Sequence, residues 1–134
     1  MSVYVWPTRV YWEDTDGGGV VYYANYLRFL ERARTEWLRA LGFTQSALAL
    51  VPGVLFSVVE VNIRYLKPAR LDDLLFIGCA VAPDGAASMS FTQHIHRDVE
   101  NGVLLAQAQV RVACVSAATF KACRLPPAIL REIS

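Results

Sequence analysis

Two aspartates and three consecutive glycines stand together in Glu13-Asp14-Thr15-Asp16-Gly17-Gly18-Gly19, just ahead of a segment with helical spacing. Three glycines in a row remove every Cβ, so the backbone can take positive φ and bring its N–H groups close to another molecule. The start of a helix offers further unpaired N–H groups and the positive end of the peptide dipoles. A carboxylate beside such donors suits hydrolysis of an activated acyl group. Asp16 attacks the carbonyl or activates a water, and the amides hold the oxygen that gains charge. The same residues also serve a plain turn, with Asp14 or Asp16 supporting the helix end and the glycines giving a flexible loop. Residue types alone leave both readings open.

The elements that must position this loop are read from periodicity. Arg9 to Trp12 is a short strand-like run. From Tyr22 or Tyr23 onward, Tyr26, Phe29, Leu30, Ala33, Trp37, Leu38 and Leu41 recur at three- and four-residue intervals. The spacing predicts a helix over Tyr23 to Leu41, ~28 Å long at 1.5 Å per residue, closed by Gly42 as the C′ residue. Arg28, Glu31, Arg32, Arg34, Glu36 and Arg39 occupy its other face, with Arg32 and Glu36 as an i,i+4 pair. Further on the period falls to two: Val59, Val61, Ile63 and Tyr65 alternate with Glu60, Asn62 and Arg64. A second strand follows at Leu74 to Val81, then the turn Pro83-Asp84-Gly85 and a third strand at Ser88 to Asp98. In the third, Met89, Phe91 and Ile95 face one way, and Ser90, Thr92, His94 and His96 the other. Asn101-Gly102 predicts a hairpin into a last strand. That strand puts Leu104, Ala106, Ala108, Val110, Val112 and Cys114 on one face and Gln107, Gln109 and Arg111 on the other. A short helix follows Pro126-Pro127. One short strand, one long helix and four strands able to wrap it give an α+β fold and a single domain over residues 1–134.

Hydrophobic residues make up 54% of the sequence and charged ones 19%. That is more apolar side chain than a small monomer can hide, so a homo-oligomer is expected. A net charge of +1 with no basic cluster argues against nucleic acid or an anionic membrane as partner. The longest apolar run, around Leu48 to Phe56, is broken by Pro52 and Gly53 and falls far short of a membrane span. Met1 to Pro7 lacks a secretory pattern, so no export is expected. Cys79, Cys114 and Cys123 are odd in number and without CxxC pairing. They read as reduced thiols of a cytoplasmic protein, Cys79 and Cys114 being buried in apolar strands.

The segment Arg9-Val10-Tyr11-Trp12-Glu13-Asp14-Thr15-Asp16-Gly17-Gly18-Gly19-Val20-Val21-Tyr22-Tyr23-Ala24-Asn25-Tyr26 resembles the active-site signature of the 4-hydroxybenzoyl-CoA thioesterase family. It looks closest to the subgroup of acyl-CoA thioesterases encoded beside the Tol–Pal envelope system. Phe29-Leu30-Glu31-Arg32-Ala33-Arg34-Thr35-Glu36 and Tyr65-Leu66-Lys67-Pro68-Ala69-Arg70-Leu71-Asp72-Asp73 match that subgroup too. The resemblance implies the hotdog fold, a long central helix wrapped by an antiparallel β-sheet. It implies hydrolysis of an acyl-CoA, or of an acyl carrier protein thioester, to a free acid and thiol, without metal or cofactor. Asp16 falls on the catalytic carboxylate, as nucleophile or general base. The backbone N–H that polarises the thioester carbonyl maps to Tyr23, and Asp14 shapes the loop. Substrate-binding positions fall on Gly19, Val20, Tyr22, Asn25 and Tyr26. Family dimers join sheets edge to edge, often pair into tetramers, and build active sites from both subunits.

Two features depart from the family pattern. Close relatives often carry histidine where this chain has Tyr23, an exchange that a backbone donor survives. A basic cluster that contacts CoA phosphates in the 4-hydroxybenzoyl-CoA enzymes is replaced by the turn Ala82 to Ala86. Phosphate contacts then fall to Arg64, Lys67, Arg70 or Arg97, of which Lys67 and Arg70 lie together in one loop. Tyr22, Tyr23, Tyr26, Val59 and Val61 suit a small aromatic or short aliphatic acyl pocket, and equally suit core packing. Glu31 is a reserve carboxylate whose simpler role is pairing with Arg28 or Arg34. His94, His96 and Asp98 share a strand face but have no further ligand spaced to complete a metal site, so none is expected. Ser57, Ser90 and Ser116 lack a nucleophile elbow. The competing reading is a hotdog module that binds an acyl chain or carrier protein without turnover, and the non-basic turn is its best support.

Overall fold

The computed structural model describes residues 3–134. Among them are five strands and three α-helices in the order β1 (Tyr4–Arg9), α1 (Tyr26–Ala40), α2 (Gln45–Leu50), β2 (Val54–Tyr65), β3 (Leu74–Pro83), β4 (Ser88–Arg97), β5 (Val103–Ser116) and α3 (Pro127–Ile133). The strands form one antiparallel sheet in the order β1-β3-β4-β5-β2. No helix among the described residues is long and apolar enough to cross a membrane.

α1 turns Tyr26, Phe29, Leu30, Ala33, Trp37 and Leu38 into the core, as its apolar stripe predicts. Full burial of a side chain such as Phe29 or Leu30 contributes about 1.5–3 kcal/mol. The helix ends in a Schellman motif: Gly42 at φ 97° donates to the Arg39 carbonyl at 2.9 Å, and Phe43 N–H donates to the Leu38 carbonyl at 3.1 Å. Its beginning differs from the expected Tyr23, because Tyr23–Asn25 is a separate 3-10 turn. The expected Arg32–Glu36 pair is also replaced. Glu36 pairs with Arg39 instead.

β3, β4 and β5 form the predicted meander, and the inward residues Met89, Phe91 and Ile95 of β4 are buried. Gln93 lies on that same inward face and is fully buried. It donates to the Leu30 carbonyl at 3.1 Å and to Cys79 Sγ at 3.0 Å, and accepts from Arg34 Nη1 at 3.0 Å. These partners offset the desolvation of a core amide. Burial pushes the Cys79 thiol up to about 11.

Four further expectations are corrected. The first strand is Tyr4–Arg9 rather than Arg9 to Trp12, because the chain leaves the sheet and turns at Trp12–Asp14. Pro7 is tolerated there because β1 is an edge. In β2 a bulge at Val59 breaks the two-residue period, so Val59 and Val61 do not continue one face. In β5 the register shifts opposite Ile95 and His96, which buries Leu105 completely and leaves Leu104 partly exposed. The β4–β5 reversal takes its positive φ at Asp98 (74°), while Gly102 is needed for space. A Cβ on Gly102 would lie 2.1 Å from the Arg97 carbonyl oxygen.

That close approach predicts that Gly102→Ala lowers stability by about 1–3 kcal/mol, the usual cost of forcing backbone out of a packed position. Thermal or denaturant unfolding of the two proteins checks it; an unchanged midpoint contradicts it.

Candidate active site

The loop carrying the two aspartates is a small closed structure. Asp14 is buried. Its carboxylate accepts the Tyr11 N–H at 2.8 Å, and its carbonyl accepts both the Tyr22 N–H at 3.1 Å and Asn25 Nδ2 at 2.9 Å. Thr15 and Val21 form an antiparallel bridge, and Asp16 N–H donates to the Val20 carbonyl at 3.1 Å. The segment therefore goes out through Asp16, reverses across the glycines and returns into the helix tip. Gly17 and Gly19 sit at φ 87° and 84°, a region in which a side chain is strained.

The loop is fastened from outside by the β2–β3 connector. Val21 N–H donates to the Ala69 carbonyl at 2.8 Å, Leu71 N–H to the Gly19 carbonyl at 3.0 Å, and Val20 bridges Arg70. Val10 exchanges bonds with Asp72 and Asp73 in the same way. The connector is itself braced by Asp73, whose carboxylate accepts the Arg70 N–H at 2.8 Å, and by Leu66 and Lys67, which both donate to the Leu105 carbonyl. The buried Tyr26 hydroxyl accepts the Ala69 N–H at 2.9 Å. Helix tip, loop and connector thus share one set of hydrogen bonds.

Beside the helix tip lies an open cleft of about 270 Å³ lined by Val21, Tyr23, Tyr26, Tyr65, Leu66, Lys67 and Pro68. Tyr65 donates to the Tyr23 carbonyl at 3.1 Å and stacks edge-on against Tyr26 at 5.1 Å. Burial raises the hydroxyls of Tyr26 and Tyr65 above their ordinary value, so both remain neutral. The N–H groups of Tyr23 and Ala24 have no acceptor among the described residues. They are the free donors of the helix tip.

Of the expected site residues, the structure gathers Tyr23, Tyr26 and Lys67 on this cleft. Gly19, Val20, Tyr22, Asn25 and Arg70 belong to the hydrogen-bonded frame around it. Asp16 is exposed and lies outside the cleft walls, its Oδ1 accepting the Gly18 N–H at 2.7 Å. Val59 and Val61 are on the open edge of the sheet, 53% and 41% exposed, and line no cavity described here. Arg97 is engaged with Asp73 and Asp98 at 3.9 and 3.8 Å, and Arg64 sits on the outer sheet face with Thr92 and His94. Glu31 accepts from Thr35 at 3.3 Å rather than pairing with Arg28 or Arg34.

A second cavity of about 100 Å³ lies farther along α1, where Glu31, Arg34 and Thr35 face Phe56, Val58 and Phe91. Burial pulls the Arg34 guanidinium below its ordinary value. Sequence reasoning missed this cavity, the Tyr65 hydroxyl and the Gln93–Arg34 bond. A polar Gln93 in line with Phe91 and Ile95 was the signal for the last.

Residues 10–133 match the thioesterase-like superfamily. The acyl-CoA thioester hydrolase YbgC of Escherichia coli O6:H1 is 46% identical over 131 residues, covering 98% of this chain and 96% of that protein. A 1,4-dihydroxy-2-naphthoyl-CoA thioesterase from Synechocystis superposes with a TM-score of 0.90 at 26% identity, covering 98% of this chain and 96% of the other. A 4-hydroxybenzoyl CoA thioesterase complexed with 4-hydroxybenzoyl CoA gives 0.90 at 19% identity over the full length of both chains, a likeness of fold. With the long helix packed on a five-stranded antiparallel sheet, this chain is a hotdog-fold member of the thioesterase-like superfamily.

Proposed function

We propose that the protein hydrolyses acyl-CoA thioesters to a free acid and CoA, with Asp16 as nucleophile or general base and the Tyr23 N–H as oxyanion donor. One observation carries the reading. The arm that ends at Asp16 and the arm that runs into the helix tip are two sides of one hairpin, and the tip's Tyr23 and Ala24 amides are unpaired. This pairing ties the backbone of Asp16 to the helix tip, which supports carboxylate and donors acting together. A single oxyanion donor of this kind is worth about 10²–10³ in rate. The Gly18 N–H donates to Asp16 Oδ1 at an exposed position, where a water can take over as donor to the carboxylate. The relative from Escherichia coli, an acyl-CoA thioester hydrolase by name, supports the same activity. Lys67 and Arg70, neither in an ion pair among the described residues, suit the phosphates of CoA, while an acyl carrier protein would present the same thioester. Three free thiols suit a reducing, cytoplasmic setting.

The exposed position of Asp16 calls for a second wall, and the edge of β2 supports a second copy as its source. Twelve residues long, β2 leaves Val58, Val59 and Val61 46%, 53% and 41% exposed on an unpaired edge. Such an edge is an aggregation hazard unless another strand covers it. Antiparallel pairing of two β2 edges about a two-fold axis sets the Tyr65 end of one strand beside Phe56 of the other. The cavity at Glu31, Arg34 and Val58 of one subunit then adjoins the cleft of its partner and can take the acyl group.

Thiol release from a panel of short-chain, long-chain and aromatic acyl-CoAs tests the activity. Asp16→Asn is expected to lower kcat by about 10²–10⁴ with an unchanged melting temperature; undiminished turnover removes Asp16 from the mechanism. Asp14→Ala loses stability as well, by about 1–3 kcal/mol, because it removes the carboxylate that the Tyr11 N–H donates to. Acyl-CoA binding with no thiol release across the panel favours the non-catalytic module instead. For the assembly, sedimentation of wild type is expected to show a dimer or tetramer. Val61→Lys should dissociate it and reduce turnover, whereas a monomeric, fully active wild type rules out the shared site.

A further inference from the structure

The end of β5 holds a pair of thiols that the proposed reaction does not use. Cys114 is fully buried, Cys123 is half-buried, and their sulfurs stand 3.6 Å apart. The backbone fixes this closeness. After β5 the chain doubles back, so that Ser116 N–H donates to the Lys121 carbonyl and Cys123 N–H to the Cys114 carbonyl, each at 2.9 Å. Val115 and Ala122 form the antiparallel bridge between those bonds. Cys114 and Cys123 are therefore directly opposite one another across a two-strand ladder. That position spaces Cα atoms about 5.5 Å apart, within the range of about 4.4–6.8 Å that a disulfide accepts. The sulfurs need only about 1.5 Å of approach, within the reach of a side-chain rotation.

We infer that Cys114 and Cys123 are an oxidant-sensitive pair that closes into an intramolecular disulfide and ties the C-terminal segment to the sheet. The oxidant is a peroxide. Cys123 is the less buried of the two, and it attacks one peroxide oxygen, breaking the O–O bond and releasing water while it becomes a sulfenic acid. Cys114 Sγ then attacks the Cys123 sulfur. The sulfenic oxygen leaves with the thiol proton as a second water, so hydrogen peroxide takes up two electrons and two thiol protons in all. Burial, with the Cys123 contact adding to it, pushes the Cys114 thiol up to about 12, so the first attack falls to Cys123. The segment that the bond would secure carries Leu125 and Ile129 into the core. Cys79 is walled off elsewhere in the core under Gln93, and serves as an internal control.

The test uses the full chain, reduced and then exposed to hydrogen peroxide. Intact mass should fall by two hydrogen atoms and recover with dithiothreitol. Peptide mapping should link Cys114 to Cys123 and leave Cys79 free. Cys123→Ser should abolish the mass loss. Cys114→Ser should stop at a Cys123 sulfenic acid that dimedone traps, and if that core variant fails to fold, mapping of the wild type with Cys123→Ser decides alone. The oxidised protein should melt several degrees higher, since the cross-link restricts the unfolded chain. An unlinked Cys114 and Cys123 after oxidation, a cross-link between chains, or preferential oxidation of Cys79 overturns the pairing. An unchanged or lower melting temperature overturns the claim that it secures the C-terminal segment.

Discussion

Both backbone groups of Ala69 are committed to the site: its N–H to the Tyr26 hydroxyl and its carbonyl to the Val21 N–H. The residue is fully buried, and its small side chain lets helix tip, aspartate loop and connector converge on one point. Every other feature of the site follows from that convergence. The Gly19–Leu71 bond and the Val20–Arg70 bridge continue the same line of pairing, and the hairpin closed by Thr15 and Val21 hangs from it. Because the fastening is mostly main chain to main chain, it constrains the backbone more than the side chains. The side chains of the exposed Asp16 and the cleft-lining Tyr23 take no part in it.

The connector reaches this place because of sheet order. β2 pairs with β5 at one edge, while β3 lies three positions away beside β1. Residues 66–73 must cross the ends of β5 and β4 to join them, and Leu66 and Lys67 take the Leu105 carbonyl on the way. Were β2 and β3 hairpin neighbours, no chain would pass over the helix tip, and the loop would have nothing to pair with. The site is thus a product of a long-range crossover, with local residues supplying only its contents.

That division explains what was legible in the sequence. The stripe from Tyr26 to Leu38 and the three strands of the meander repeat a period long enough to be read locally. So does Gly42, whose Schellman role depends only on the preceding turn. β1 was misplaced because Pro7 interrupts it and its partner β3 is some seventy residues away. The bulge at Val59 and the shift that buries Leu105 instead of Leu104 are properties of paired strands, invisible in either strand alone. Asp14, Asp16 and Tyr23 were singled out by type and motif; the structure buries Asp14 in the loop, puts Tyr23 on the cleft and leaves Asp16 exposed outside it. Tyr65 was read as the end of a strand and the start of a matching segment but given no role at the helix tip, because its bond to the Tyr23 carbonyl spans forty-two residues. Gln93 was overlooked for the opposite reason: a buried amide among apolar neighbours is intelligible only once Leu30, Arg34 and Cys79 surround it.

The two edges of the sheet are unequal. β1 is six residues long and carries Pro7, so its free side offers little for another strand to extend. β2 is twice as long, apolar at Val58, Val59 and Val61, and bulged just where its outer rim is most exposed. The same strand ends at Tyr65 on the open cleft and passes Phe56 and Val58 on the wall of the inner cavity. An exposed apolar rim and a cleft open to solvent therefore lie along one strand. Each costs something when the chain stands alone, in exposed hydrocarbon or in field strength lost to water. The second copy proposed along β2 would cover both at once.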